Sequence, residues 1–244
     1  MIYCKDLILE YKNKKVLQLD ELSINENGIY ILLGANGSGK STFIKSLIMD
    51  SSVKRSGIIN INNNPLSKEV IFNDIGFMPQ FLNVNFPFRA IEVVMMGHKE
   101  YGIFSDEKKI KKKALEIMES LNILHLQNRN VENLSGGERA LVFLAKTLCK
   151  NTNIILLDEP DSSLDFQNKV KLFHYLEDNK SNKIIILSSH DIVSITKTDY
   201  IIKFSKSSNY KPIHKKDINK NELKDIFPDV NYDEILKDIF SVIS

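Results

Sequence analysis

One loop in the sequence combines glycines, a lysine and hydroxyl residues at a spacing suited to phosphate binding. It consists of Gly34, Ala35, Asn36, Gly37, Ser38, Gly39, Lys40, Ser41 and Thr42. Its glycines allow successive backbone N–H groups to point inward at an anion, and the start of a following helix adds partial positive charge. Lys40 can reach the β- and γ-phosphates, and the Ser41 hydroxyl is a hard oxygen ligand for Mg²⁺. The pattern predicts a site for a nucleoside triphosphate.

The residues on either side of this loop decide how it is interpreted. An apolar run at residues 29–33 precedes it, as expected of a buried strand, and residues 43–48 carry apolar side chains at helical spacing. By itself the loop could be an ordinary glycine-rich turn with an exposed lysine. The order of strand, loop and helix favours the phosphate site.

Two adjacent carboxylates, Asp158 and Glu159, directly follow a second apolar run at residues 154–157. A run that is apolar at every position is typical of a strand buried on both faces of a parallel sheet, and such sheets bind ligands at the carboxyl ends of their strands. Adjacent carboxylates there are costly unless a cation or a proton transfer uses them. We expect Asp158 to bind Mg²⁺ and Glu159 to orient or deprotonate an attacking water.

Three further side chains could contact the nucleotide. Gln80 follows a predicted strand that Pro79 ends, and its amide could hold Mg²⁺ or the attacking water. His190 follows a predicted strand at residues 184–187, where an imidazole N–H could reach the γ-phosphate; without the other motifs, a structural histidine is the better interpretation. Tyr11 could stack on a base, or it could pack at a strand edge.

A second phosphate-binding pattern lies much further along the chain. Ser135, Gly136 and Gly137 precede Glu138 and a helical pattern that runs to Leu148. A hydroxyl and two glycine N–H groups at a helix N-terminus form an anion cradle. One site hardly needs two such cradles, so the duplication requires an explanation.

Hydrophobic periodicity outlines the elements that must position these groups. We predict an α/β fold in which short strands precede the loop and an α-helical subdomain, at about residues 81–150, is inserted into the core. The core unit is predicted to span residues 1–210. Residues 211–244 are predicted to be a short helical tail, interrupted at Pro228.

The composition limits the possible classes of function. The 244 residues are 43% hydrophobic and 26% charged, as in an ordinary soluble globular protein, and a net charge of +2 gives no reason to expect nucleic acid as a partner. The basic run at residues 108–113 is interpreted as a solvated helix face. Cys4 and Cys149 have no motif spacing, which suits a reducing compartment. No secretory signal and no apolar run of about 20 residues is present, so we expect any membrane crossing to belong to another chain.

In their order and spacing, these motifs resemble those of an ATP-binding cassette (ABC) ATPase. Residues 34–42, Gln80, residues 134–138, residues 154–160, residues 163–165 and His190 are similar to its Walker A loop, Q-loop, signature, Walker B strand, D-loop and H-loop. The resemblance covers roughly residues 1–205. It implies a P-loop NTPase fold with a RecA-like mixed sheet core, an antiparallel β subdomain and an inserted α-helical subdomain. It also implies ATP and Mg²⁺ as cofactors and Tyr11 stacked on the adenine.

The resemblance also implies an explanation for the second anion cradle. Cassettes of this family pair head to tail, so Ser135, Gly136 and Gly137 of one copy would close on the ATP held by the loop of a second copy. Gln80 and the helical subdomain would transmit this motion to transmembrane permease subunits. The chain would then lie at the cytoplasmic face of the inner or plasma membrane, attached through the permease.

Two sites depart from the family's usual pattern. Asp161 stands where threonine usually follows Glu-Pro, and Ala140 and Leu141 stand where Gln-Arg usually follows the signature's Glu-Arg. These changes could weaken dimer contacts or coupling. The catalytic positions are retained as Lys40, Asp158, Glu159 and His190. We therefore expect a hydrolysing cassette rather than a degenerate one.

Residues 86–98 resemble the start of the helical subdomain in importers of metal ions and iron chelates, with His98 where arginine is usual. This implies a substrate-binding protein as an indirect partner and identifies no cargo. A soluble ATPase of iron–sulfur cluster assembly and an exporter subunit remain alternatives. DNA-repair cassettes are disfavoured because no long coiled coil separates loop and signature, and translation-factor cassettes because the chain has one copy. In a GTP-binding switch the signature and His190 would have no purpose.

Overall fold

The computed structural model describes residues 1–80, 87–102, 106–189, 192–204 and 210–218. Its strands are β1 (Ile2–Tyr11), β2 (Lys14–Ile24), β3 (Gly28–Leu33), β4 (Val53–Ile61), β5 (Asn64–Pro65), β6 (Ile75–Met78), β7 (Ile154–Asp158), β8 (Ile184–Ser189), β9 (Tyr200–Lys203) and β10 (Ile213–His214). Its α-helices are α1 (Lys40–Leu47), α2 (Lys68–Asp74), α3 (Ala90–Met95), α4 (Glu107–Ser120), α5 (Gly136–Cys149) and α6 (Phe166–Asn179). Short 3₁₀ segments lie at Leu124–Leu126, Val131–Asn133, Lys180–Asn182, Ile192–Lys197 and Lys215–Asp217.

The main sheet has the strand order β10-β9-β3-β8-β7-β6. Neighbouring strands from β9 to β6 are parallel, and β10 is antiparallel to β9. Every residue of β3, β7 and β8 is buried, which explains their apolar composition, because helices or the second sheet cover both faces. The parallel arrangement brings the carboxyl ends of β3, β8, β7 and β6 to one edge of the sheet.

The second sheet is antiparallel, with the order β2-β1-β4-β5. Its inward side chains share a core with α1 and with one face of the main sheet, including Leu7, Leu9, Phe43 and Leu32. The expected antiparallel β subdomain is present. Its first strands are longer than the short runs that periodicity indicated, since β2 continues through Asp20 and Glu21; both are exposed on this edge strand.

Between β6 and β7, the described residues form helices α3, α4 and α5, which is where we propose the helical subdomain at about residues 81–150. Helix α4 buries Ile110, Ala114, Ile117 and Met118, and its basic residues at positions 108–113 are exposed, as expected of a solvated face. Helix α2 has no fully buried residue, and its apolar residues Val70, Ile71 and Phe72 are consecutive, so the sequence lacks the helical spacing by which the helix could have been predicted.

The proposed boundary between the core unit and the C-terminal tail, at residue 210, does not coincide with the end of the main sheet. Strand β10 lies beyond that residue and pairs with β9, so the main sheet extends at least to His214. The two short helical patterns predicted for residues 219–244 lie outside the described residues. No helix in the described ranges is long and apolar enough to cross a bilayer.

Candidate active site

The glycine-rich loop connects the carboxyl end of β3 to the start of α1. Gly39 caps α1 with a φ of 103°, a left-handed backbone that favours glycine. At Gly34, an added Cβ would lie 2.4 Å from the backbone oxygen of Phe204, so the loop passes too close to the residue that follows β9 for a side chain there. These two constraints place the loop over the N-terminus of α1, where its N–H groups can bind an anion.

This loop borders a cavity of about 290 Å³. The lining residues are Tyr11, Val16, Asn36, Gly37, Ser38, Gly39, Lys40, Ser41, Thr42 and Glu159. The Ser38 hydroxyl is buried and has no hydrogen-bond partner within the described part of the chain. An orphaned buried hydroxyl in an anion-binding loop fits a ligand that supplies acceptor oxygens, as a phosphate does.

Lys40 is the buried cation of this cavity, with 5% of its surface exposed. Its Nζ donates hydrogen bonds to the backbone oxygens of Gly34 at 2.6 Å and Ala35 at 3.1 Å. Burial lowers the pKa of the Lys40 ammonium below its ordinary 10.5, and the nearby carboxylates of Glu159 and Asp158 partly offset this effect. The ammonium can exchange its carbonyl partners for phosphate oxygens.

Asp158 ends β7 and is 2% exposed. Its Oδ1 accepts hydrogen bonds from Ser41 Oγ at 2.7 Å and from Ser188 Oγ at 2.8 Å. A hydroxyl and a carboxylate oxygen side by side are the hard donors that Mg²⁺ prefers, so Ser41 and Asp158 fit this ion.

Glu159 follows Asp158 and has a φ of 48°, an uncommon left-handed conformation for a residue other than glycine. Its Oε2 accepts a hydrogen bond from Gln80 Nε2 at 2.6 Å, and its backbone N–H donates to Ser188 Oγ at 2.9 Å. Because β6 and β7 are parallel neighbours, Gln80 and Glu159 leave the sheet at the same edge. The structure thus brings Gln80, Glu159, Asp158 and the loop together.

The residues of the predicted second anion cradle lie at the N-terminus of α5. Ser135 Oγ accepts from the backbone N–H of Glu138 at 3.2 Å, and Glu138 Oε2 accepts from the backbone N–H of Ser135 at 2.9 Å, which is a capping box. The hydrogen bond from the Ser135 backbone lowers the pKa of the Glu138 carboxyl. An added Cβ on Gly137 would meet Asn168 Nδ2 at 3.2 Å, so this turn packs against the start of α6. Ser135, Gly136 and Gly137 are absent from the described residues that line the loop cavity.

Sequence reasoning missed two polar contacts at this edge. Ser188 bonds to both Asp158 and Glu159, as described above. Asp161, which is 2% exposed, accepts hydrogen bonds at Oδ2 from Ser189 Oγ and Ser194 Oγ, both at 3.0 Å. The signal available was a pair of serines at the end of an apolar strand, a costly place for hydroxyls without partners. His190 lies outside the described residues, and its role stays a prediction.

Comparison with protein families gives a match to the family described as "ABC transporter", over residues 17–162. Among similar proteins, an ABC transporter ATP-binding protein of Cyanophora paradoxa is 33% identical over 228 residues, which cover 91% of this chain and 92% of that protein. An iron chelatin transport ATP-binding protein of Helicobacter pylori is 31% identical and covers 77% of this chain and 76% of its own length.

Solved structures show the same fold. A metal-chelate type ABC transporter in an inward-facing conformation has a TM-score of 0.77 and 25% identity, covering 93% of this chain and 88% of that chain. A dimeric ATP-binding cassette bound to ADP and Pi in a post-hydrolysis state has a TM-score of 0.73 and 26% identity, covering 87% of this chain and 96% of that chain. The predicted fold class is confirmed.

Proposed function

Since the chain belongs to the ABC transporter family of ATP-binding proteins, we propose that it is the ATP-hydrolysing subunit of an importer for metal ions or iron chelates. The observation that carries the ATPase assignment is the loop cavity, where a buried lysine, an orphaned hydroxyl and the carboxylates at the end of β7, Asp158 and Glu159, meet. The cargo class is supported by similar proteins named for iron chelatin transport and as a metal-chelate type transporter.

In the proposed complex, the loop residues 34–42 surround the phosphates of ATP with backbone N–H groups, and Lys40 supplies the positive charge. Tyr11, which lines the same cavity, stacks on the adenine. Ser41, Asp158 and Gln80 hold Mg²⁺, an ion that neutralises charge on the phosphates when it is bound.

For hydrolysis, the Glu159 carboxylate accepts a proton from water as the water oxygen attacks the γ-phosphorus and the bond to ADP breaks. Gln80, which donates to Glu159 Oε2, keeps this carboxylate oriented toward the water. His190 contacts the γ-phosphate in this proposal.

The complete site needs a second copy of the chain. Within the described residues of one copy, Ser135, Gly136 and Gly137 do not line the cavity, although they stand at the N-terminus of a helix, where an anion cradle is predicted. We infer that these residues cover the ATP of the partner copy, in a dimer like that of the similar cassette bound to ADP and Pi. ATP then closes the dimer and hydrolysis opens it, which moves a permease at the cytoplasmic face of the membrane. A substrate-binding protein delivers the cargo to that permease.

Substitution of the proposed base tests this mechanism. We expect Glu159→Gln to lower kcat by about 10²–10⁴-fold, because an amide cannot accept the proton, while ATP still binds and holds the dimer closed. ATPase assays and light scattering with excess ATP measure both effects. Glu116→Gln, on the exposed face of α4, is the matched control. A Glu159→Gln variant that hydrolyses normally, or stays monomeric with excess ATP, would contradict the mechanism.

The importer assignment is tested through its partners. The chain, tagged in its native cell and extracted gently with detergent, is expected to retain a polytopic membrane protein in stoichiometric amount. The recovery of soluble sulfur-transfer proteins without a membrane partner would overturn the importer and favour a role in iron–sulfur cluster assembly. The ATPase chemistry would be unaffected by that result.

A further inference from the structure

Ser188 contacts both carboxylate residues of the candidate active site. It is fully buried near the end of β8, directly opposite Asp158 of β7 in the parallel register. Its Oγ lies 2.8 Å from Asp158 Oδ1 and 2.9 Å from the backbone nitrogen of Glu159. The proposed binding and hydrolysis steps assign no role to this hydroxyl.

The chemistry of the partners sets the direction of these hydrogen bonds. A backbone N–H can only donate and an ionised carboxylate can only accept, whereas a serine hydroxyl does both. The Ser188 hydroxyl therefore accepts from Glu159 and donates to Asp158. Because Ser41 Oγ donates to the same Oδ1 atom, one continuous chain of hydrogen bonds joins the glycine-rich loop to the backbone of Glu159.

This chain of hydrogen bonds ends at a residue with an uncommon backbone conformation. Glu159 has a φ of 48°, a conformation that non-glycine residues retain only where their surroundings enforce it. The hydrogen bond from its N–H to Ser188 is one such enforcement. The orientation of that peptide decides whether the Glu159 side chain leaves the strand toward Gln80 and the cavity.

We propose that Ser188 is a positioning residue for ATP hydrolysis, whose hydroxyl keeps Glu159 and Asp158 in register with each other and with Ser41. This inference rests on the proposed function, because it assumes that hydrolysis takes place at these carboxylates. It requires a hydroxyl at position 188 and not merely a side chain of similar shape.

Two substitutions that introduce side chains of the same shape separate the effect of the hydroxyl from the effect of side-chain shape. Ser188→Thr retains the hydroxyl and Ser188→Val replaces it with a methyl group. Relative to Ser188→Thr, we expect Ser188→Val to lower kcat by about 10–100-fold, in the range found for residues that support metal ligands. Affinity for ATP measured in EDTA is expected to be equal in the two variants, since the loop N–H groups and Lys40 are untouched.

A second measurement does not depend on turnover. Electron paramagnetic resonance of Mn²⁺ titrated into the protein with ADP reports the cation site directly, and we expect the Mn²⁺ affinity to be about tenfold lower in Ser188→Val than in Ser188→Thr. Thr152→Val is the folding control, because it removes another buried hydroxyl, bonded to Ile154 O, at the opposite end of β7. If the variants with a β-branched side chain at position 188 do not fold, Ser188→Ala is compared with the wild type by the same two measurements.

Equal kcat and equal Mn²⁺ affinity in Ser188→Thr and Ser188→Val would overturn the inference. In the comparison of Ser188→Ala with the wild type, an unchanged kcat and an unchanged Mn²⁺ affinity would also overturn the inference. Failure of the proposed function gives a different result, since the wild-type protein itself would then show no ATP hydrolysis.

Discussion

Lys40 shows how burial prepares a charged side chain for a charged ligand. Nearly all of its surface is removed from water, and its ammonium donates to two carbonyl oxygens of its own loop. This burial lowers the pKa of Lys40, since it disfavours the charged form. Phosphate oxygens would stabilise that charge far better than neutral carbonyls, which is the physical basis for the proposed ATP affinity.

The pH dependence of ATP binding tests this account. Because its pKa is lowered, Lys40 loses its proton at a lower pH than an ordinary lysine, and ATP binds the protonated form. ATP affinity is therefore expected to fall as pH rises, beginning below 10.5 and approaching about tenfold per pH unit above the lowered pKa. Calorimetric titration between pH 7 and 10 measures the effect.

Lys40→Arg is the control for this prediction, because a guanidinium remains charged throughout that pH range. Its ATP affinity is expected to be independent of pH. The same fall in the arginine variant would assign the titration to another group.

At the scale of elements, the ends of strands and helices are joined by side chains that are distant in sequence. Asp161, just beyond β7, accepts hydrogen bonds from Ser189 at the end of β8 and from Ser194 in the following 3₁₀ segment. In the family pattern that the sequence resembles, threonine is expected at this position, and its side chain is shorter than that of aspartate and carries one hydroxyl. Asp161, which departs from the family pattern, thus forms a buried polar contact between the ends of two active-site strands.

Asp161→Thr is expected to destabilise the protein, although it restores the usual residue of the family. The loss of an acceptor shared by two buried hydroxyls should lower the free energy of unfolding by about 1–3 kcal/mol. Urea unfolding measures this change, with Asp178→Thr at an exposed position of α6 as the control. An Asp161→Thr variant as stable as the wild type would show that the contact contributes little.

The capping box of α5 gives a second prediction at this scale. Ser135→Ala removes the acceptor for the Glu138 N–H, so the free energy of unfolding is expected to fall by about 1 kcal/mol. Ser135→Thr retains a hydroxyl acceptor and should keep most of the stability contributed by the cap. Urea unfolding of the three proteins tests the cap. ATPase activity is expected to fall more in Ser135→Ala than this loss of stability accounts for, because the same hydroxyl faces the partner's ATP in the proposed dimer.

At the scale of the whole molecule, the sequence predicts two anion cradles on one chain, and among the described residues only the one at the glycine-rich loop borders the loop cavity. In the proposed symmetric dimer, Ser135, Gly136 and Gly137 of each copy would face the glycine-rich loop of the other copy. The dimer would then contain two equivalent sites, each built from both copies. One chain therefore cannot complete either site by itself, which makes the dimer necessary for catalysis in the proposed function.

Mixing two inactive variants tests this composite site. Lys40→Ala removes the loop cation and Ser135→Arg blocks the signature turn, so each homodimer should be inactive. A mixed dimer has one site with both defects and one intact site. With half of the dimers mixed, about a quarter of wild-type activity is expected. No recovery on mixing, with mixed dimers demonstrated by differential tagging, would place both elements in a site within one chain.

The features that the sequence by itself determined are local ones. The loop at residues 34–42, the adjacent carboxylates Asp158 and Glu159, and the helix start at Ser135 each occupy consecutive positions, so neighbouring residues define both their backbone and their chemistry. The α/β class followed from apolar runs for the same reason, since strands buried on both faces admit few polar residues.

Tertiary structure alone decided which separate groups meet. The sheet order places β6, β7 and β8 side by side, and this brings Gln80 to Glu159 and Ser188 to Asp158. No local pattern records that order, because strand pairing depends on the packing of the whole sheet. For the same reason sequence could not identify Asp161 as a buried acceptor. Helix α2 was missed because its apolar residues are consecutive and show no helical spacing.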